Sequence, residues 1–121
     1  MMLLVNIDDA LNNSIIPENI ILFRWVKFNS LEIDKIQINK YFAEKGYVST
    51  NLIPSVPNEI DYNLLFIIKA PKGKRGAIIS NISKRTHVNE YEFLLPRNQI
   101  FKIIQVVYLK GNKGILLCNL C

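Results

Sequence analysis

Glu90 and Glu92 stand two residues apart and are the acids of a half-chain that is otherwise basic. Residues 62–121 carry ten Lys and Arg against these two carboxylates, a balance of +8, whereas residues 1–61 carry five basic and eight acidic side chains, a balance of −3. In an extended segment the period of two puts both carboxylates on one face, where they titrate as a coupled pair. Solubilising lysines and two ordinary edge-strand glutamates would leave the same pattern. Arg24 interrupts the apolar run Ile20-Ile21-Leu22-Phe23-Arg24-Trp25-Val26, and a charge in such a run needs either a partner or a polar site to face. Ser49 and Thr50 form the polar centre of a third extended run, Tyr47 to Leu52.

The elements that must position these residues follow from composition and patterning. The chain has 121 residues, room for one domain and no second. Nineteen isoleucines and fourteen asparagines favour β-branched strands joined by Asn-rich turns. No apolar stretch approaches the ~18 residues that cross a bilayer. A short helix is expected over Ile7 to Ser14, ending before Pro17. A second helix is expected from Leu31 to Ala43, with Ser30 as its cap, Glu32 and Asp34 in its first turn and Leu31, Ile38 and Phe42 on one face. Strands are expected at Ile20 to Val26, Tyr47 to Leu52, Asn63 to Ala70, Ala77 to Ser80 and Tyr91 to Leu95. Gln99 to Tyr108 and Gly114 to Leu120 close the sheet as a hairpin turning at Lys110-Gly111-Asn112. Ser80 to Asn89 reads as a polar loop. A mostly-β, α+β domain results.

Other residue groups carry less. Cys118 and Cys121 have a C-x-x-C spacing, but His87 alone cannot complete four zinc ligands, so no metal is expected. His87 ends the polar run Ser83-Lys84-Arg85-Thr86-His87, with nothing apolar to bury it as a catalytic base. Pro71-Lys72-Gly73-Lys74-Arg75-Gly76 has the glycines and charge of a phosphate loop without its spacing and reads as a tight turn. The N-terminus has no basic region and too short an apolar run for a signal peptide.

Phe23-Arg24-Trp25, Lys45-Gly46-Tyr47-Val48-Ser49-Thr50-Asn51-Leu52, Pro71 to Ala77 and Glu90-Tyr91-Glu92-Phe93-Leu94-Leu95-Pro96-Arg97 together resemble the aromatic-Arg, Ser-Thr-Ser and Glu-x-Glu blocks of mono-ADP-ribosyltransferase exotoxins. The likeness is nearest to the enzymatic components of clostridial iota-type and bacillary binary toxins. It implies an ADP-ribosyltransferase fold of two packed mixed and antiparallel sheets with few flanking helices, here one N-terminally shortened domain over residues 1–121. It implies NAD as co-substrate and a protein arginine as acceptor, with nicotinamide released.

Site residues follow from the same resemblance. Glu92 would stabilise the oxocarbenium character that develops at the anomeric carbon and would bind a ribose hydroxyl. Ser49 would hold Glu92 by a hydrogen bond. Arg24 would face the pyrophosphate, with Trp25, Tyr47 and Thr50 completing the NAD contacts. Glu90 would select the acceptor, since a guanidinium is bound bidentately by a carboxylate and must lose a proton to attack. Arg85 would touch the protein substrate. The basic half-chain would favour an anionic dinucleotide and keep Glu92 ionised. Secretion and actin as a target are further implications of the resemblance, with a cytoplasmic location as the alternative.

The pattern is departed from at several places. The family's N-terminal helical part is reduced to the residues before Pro17. Asn51 replaces the last Ser of Ser-Thr-Ser. Ile60 to Asn63 stand where a second NAD-contacting arginine is expected, the phenylalanine that stacks near nicotinamide has no counterpart around Glu59, and the Ser80 to Asn89 loop carries Lys84, Arg85 and His87 in place of an aromatic residue. Two other functions therefore stand beside the enzymatic one. One is a catalytically silent member of the fold that binds a protein or nucleotide. The other is a basic β-domain binding nucleic acid through Lys69, Lys72, Lys74, Arg75, Lys84 and Arg85, disfavoured because these residues lack interleaved aromatics for base stacking.

Overall fold

The computed structural model describes residues 6–29, 35–54, 62–79 and 91–121. Their elements are α1 (Ile7–Asn12), β1 (Ile20–Val26), β2 (Tyr41–Glu44), β3 (Val48–Asn51), β4 (Leu64–Ala70), β5 (Ala77–Ile78), β6 (Glu92–Leu95), β7 (Gln99–Lys110) and β8 (Lys113–Leu120). All eight strands join one ladder in the order β2-β7-β8-β4-β1-β3-β6-β5. The pairs are antiparallel except β4 with β8. That parallel pair is reached through the long excursion of β5, β6 and β7, because parallel neighbours cannot be joined by a tight turn.

The ladder narrows at its middle. β1 and β3 register at one position, Phe23 opposite Asn51, whereas β1 and β4 register along all seven residues of β1. In a flat sheet β2 and β3 would stand five strand spacings, about 24 Å, apart. Phe42 of β2, Phe101 of β7 and Val48 of β3 nevertheless line one crevice. The ladder is therefore folded upon itself, and the β3-β6-β5 layer covers the inner face of the larger layer. The expected two packed sheets take this form.

Between the layers lies the main core, built on Leu22, Phe66, Ile68, Phe101, Leu116 and Cys118 from one side and Val48, Phe93 and Leu95 from the other. Phe42 stacks on Phe101 at 5.2 Å and meets Phe66 at 5.5 Å. These contacts explain why residues 41–44 are a strand and not the end of a helix. Tyr41 and Phe42 alternate outward and inward, Asn39 adopts φ 70°, which breaks helical continuity, and β2 pairs with Gln99 to Lys102 of β7. The helix expected over Leu31 to Ala43 is thus absent from residues 35–43, and its start lies outside the described residues.

A second, smaller core lies on the outer face of the β3-β6-β5 layer, where Leu11 of α1 meets Ala77, Ile79 and Leu94. With six residues α1 cannot hold itself together in water. Its start is capped by the Asn6 side chain, which accepts from the Asp9 amide at 3.2 Å, and Asp8 and Asp9 face the positive end of its dipole. Burial of Leu11 does the rest.

The Pro71 to Gly76 segment is a turn, as its spacing predicts, and its amides are already engaged. Gly73 N donates to Ile16 O and Gly76 N to Ser14 O, at 3.0 and 3.1 Å, so neither is free to cradle a phosphate. Gly76 is also fixed by packing, since a Cβ there would lie 2.5 Å from Phe93 Cε1.

Candidate functional site

β3 and β6 pair in the register Val48–Leu95, Ser49–Leu94, Thr50–Phe93 and Asn51–Glu92. Directly paired residues share a face, so Ser49, Asn51, Glu92 and Leu94 point one way and Val48, Thr50, Phe93 and Leu95 the other. The second set enters the main core. The first set faces outward, and across it the Ser49 hydroxyl donates to Glu92 Oε2 at 2.6 Å. This diagonal bond joins a residue whose position is fixed by the burial of its neighbours Val48 and Thr50 to one fixed by Phe93. It is short, as expected when a hydroxyl meets a charged acceptor. The Ser49–Glu92 contact that the resemblance implies is present.

Trp25 belongs to the same outward face, because Phe23 pairs with Asn51 and Trp25 lies two residues further along β1. It is half-buried. The β1–β3 ladder ends between these residues and leaves Trp25 level with Ser49 on a face where the strands part.

Arg24 points the other way. It shares its face with Leu22 and Phe66 and lines the narrow crevice between the layers with Phe42, Glu44, Val48, Ile68 and Phe101. Its Nη2 lies 4.0 Å from Glu44 Oε1. Its Nη1 is buried and without a hydrogen-bond partner among the described residues, and the crevice is too narrow to hold a water molecule. An orphaned guanidinium donor is costly to keep. The expected convergence of Arg24 with Ser49 and Glu92 therefore does not appear at the level of strand faces; the alternation of β1 puts Arg24 between the layers and Trp25 outside.

Thr50 and Tyr47 have local employments. Thr50 is fully buried and its hydroxyl donates to Phe93 O at 2.7 Å, which ties β3 to β6 and turns it away from the outward face. Tyr47 donates its phenol proton to Asp8 Oδ1. Over the Tyr47 ring lies the Arg97 guanidinium at 4.7 Å, with Arg97 Nε 3.2 Å from Asp8 Oδ1. The hydrogen bond with Tyr47, and secondarily the charge of Asp8, make this exposed guanidinium hold its proton more tightly than usual. Sequence reasoning placed Tyr47 at the cofactor and missed its two partners. The three residues are far apart in the chain, and no local pattern joins them.

Glu90 and Arg85 lie outside the described residues, as does the Ser80 to Asn89 loop. Cys118 and Cys121 do not act together. Cys118 is fully buried, and loss of hydration pushes its thiol up to about 12. Cys121 is exposed and its thiol donates to Asn119 O. Among the described residues no helix is long and apolar enough to cross a membrane.

Solved structures share this architecture. Plx2a, an ADP-ribosyltransferase toxin from Paenibacillus larvae, superposes with a TM-score of 0.76 at 20% identity, over 95% of this chain and 67% of that one. The Clostridium limosum C3 exoenzyme gives 0.71 at 25% identity, over 95% and 65%. BECa, the ADP-ribosylating toxin of a binary enterotoxin of C. perfringens, solved with NADH, gives 0.73 at 24% identity, over 96% and 34%. The chain thus spans about two thirds of the length of the first two and a third of the last. No curated protein matches its sequence significantly. The sequence profile of the ADP-ribosyltransferase exoenzymes matches residues 4–120, and the chain belongs to that family.

Proposed function

We propose that this chain transfers ADP-ribose from NAD to an arginine of a target protein. The reading is carried by one observation, the 2.6 Å hydrogen bond by which Ser49 holds the Glu92 carboxylate on an exposed strand face. In this reaction the glycosidic C–N bond to nicotinamide breaks, its electron pair leaves with nicotinamide, and an arginine nitrogen bonds to the anomeric carbon while its proton passes to a base. Positive charge develops on the ribose as the bond breaks, and Glu92 is the carboxylate available to stabilise it. Ser49 keeps that carboxylate in one orientation, so the stabilisation is present before the charge appears. Trp25, on the same face, offers an aromatic surface to a planar group. Glu90 is assigned to the acceptor guanidinium, and Arg85 to the target protein.

Arg24 is the member whose assignment needs most from the ligand. Its Nη1, without a partner among the described residues, suits a group that accepts hydrogen bonds, and a pyrophosphate would meet it only with the layers parted, since the crevice as it stands is too narrow for a water molecule. A second reading has its own support in the 4.0 Å approach of Arg24 to Glu44. With that pair kept inside the crevice, the chain would be a non-catalytic member of the fold. A thermal-shift titration with NAD, run beside an assay of nicotinamide release, separates the two. Stabilisation with release supports the transferase. Absence of both leaves the non-catalytic reading standing.

A further inference from the structure

Three strands end around a cavity of about 560 Å³ that the transferase reading does not use. Ile21 of β1 pairs with Lys69 of β4, and Lys69 pairs in turn with Asn119 of β8, so the three stand abreast on the face turned away from the main core. The ladder ends one residue later. Pro71 has no N–H to carry it on, and Lys72 N donates instead to Asn19 Oδ1 at 2.9 Å, which draws the chain across to the start of β1. The strands part there and leave the cavity open at the end of the sheet.

Its walls are aliphatic and its charge has one sign. Ile20, Ile21, Ala70, Pro71 and Leu120 supply the apolar surface, and no aromatic ring is among the described residues that line it. Lys69 is the cation of that lining, which contains no acid. The ion pairs among the described residues engage Arg24 and Arg97 and leave the Lys69 ammonium free. The side-chain amides of Asn19 and Asn119 complete the wall. The adjoining residues 17–19 and 72–75 carry Lys72, Lys74 and Arg75 against Glu18. A mostly apolar hollow of roughly 300–1,000 Å³ with a few placed polar groups is the usual form of a small-molecule site.

We propose that this cavity binds an aliphatic carboxylate of medium chain length, with the chain against Ile21, Pro71 and Leu120 and the carboxylate on the Lys69 ammonium. Burial of the chain would supply affinity, and the charge-assisted hydrogen bond would fix its direction. An aromatic anion would find no ring to stack on. A polyanion would be served by the outer cations but would leave the apolar walls uncovered. None of the described lining residues belongs to β3 or β6, so the proposal stands apart from the transferase reading.

Cys121 makes the site readable. It lines the cavity, is exposed, and is held by the bond from its N to Ile100 O at 2.8 Å, whereas Cys118 is fully buried and silent to iodoacetamide. Octanoate, below its micelle concentration, should slow alkylation of Cys121 saturably in the full chain. Hexanoate, two methylenes shorter, should bind about fifteenfold more weakly, at the ~0.8 kcal/mol that each buried methylene contributes. Lys69→Met keeps the apolar stem without the charge; it should weaken octanoate by about tenfold, as loss of a charged hydrogen-bond partner does, and leave octanol unchanged. Ile21→Glu, at a site 43% exposed, should abolish protection by octanoate, because it sets a carboxylate of the chain directly opposite Lys69. Absence of protection, equal binding of hexanoate and octanoate, or a Lys69→Met variant that binds octanoate as the parent does would overturn the proposal.

Discussion

Ser49 and Glu92, 43 positions apart in the chain, meet on the outward face of β3 and β6 through a 2.6 Å hydrogen bond between diagonal neighbours of the strand register. A carboxylate held by the Ser49 hydroxyl on a partly exposed face is suited to act on a charge that appears beside it. Glu92→Gln keeps the size and the Ser49 contact but removes the charge, and it should lower nicotinamide release by ~10²-fold or more. Ser49→Ala keeps the charge and removes its positioning, and it should lower kcat by ~10- to 100-fold with KM little changed. Steady-state kinetics with NAD alone checks both, and turnover by Glu92→Gln equal to that of the parent protein would refute the catalytic assignment.

Acceptor choice is expected to separate from bond cleavage. Glu90→Gln exchanges a carboxylate, which binds a guanidinium bidentately and takes its proton, for an amide, which does neither. NAD hydrolysis should persist in this variant while transfer to agmatine is lost. Simultaneous loss of both activities would show that the two carboxylates have no separate roles.

Much of this arrangement was legible from residue order alone, for reasons that are local. The β1, β4, β6 and β8 runs are apolar segments bounded by turn residues, and Gly111 at φ 63° closes the β7–β8 hairpin where a residue tolerant of positive φ is needed. Residues 35–43 read as helix because Ile38 and Phe42 satisfy a helical period, although Phe42 serves equally well in a four-residue strand. What decides is Phe101, nearly sixty positions away, and no pattern inside the segment reveals it. The site divided in the same way. Ser49 and Glu92 were found through their motifs, while Glu44 beside Arg24, and Asp8 and Arg97 around Tyr47, are long-range neighbours without any local signature.

The two cysteines should differ in reactivity and in their effect on alkaline stability. Cys121 should be alkylated in the native protein, whereas Cys118, fully buried with its thiol pushed up to about 12, should react only on unfolding. The folded state holds the Cys118 proton more tightly than the unfolded state, whose thiol has the ordinary value of 9.0. Stability is therefore unaffected by this group below pH 9.0 and declines as pH rises from there towards about 12. Denaturant melts across that range should show a shallower decline for Cys118→Ala than for the parent chain, offset by a lower stability at neutral pH from the lost packing.

Arg24 offers the sharpest separation of folding from ligand binding. Its Nη1 is a buried donor without a partner among the described residues, and an unsatisfied group of this kind costs roughly 1–3 kcal/mol relative to one that is satisfied. Its approach to Glu44 is 4.0 Å, at the limit of an ion pair, and the Glu44 side chain is 39% exposed, so little stability is lost with that contact. Arg24→Met fills the same crevice with an unbranched apolar side chain that suits the surrounding Phe42, Val48 and Phe66. The variant should melt higher than the parent, by roughly 3–6 °C for each kcal/mol recovered, and should at the same time lose any stabilisation by NAD. A gain in thermal stability with the NAD shift intact would make Arg24 a dispensable core residue. A large fall in melting temperature would show that the Arg24–Glu44 pair supports the fold, and that Nη1 is satisfied in solution without a ligand.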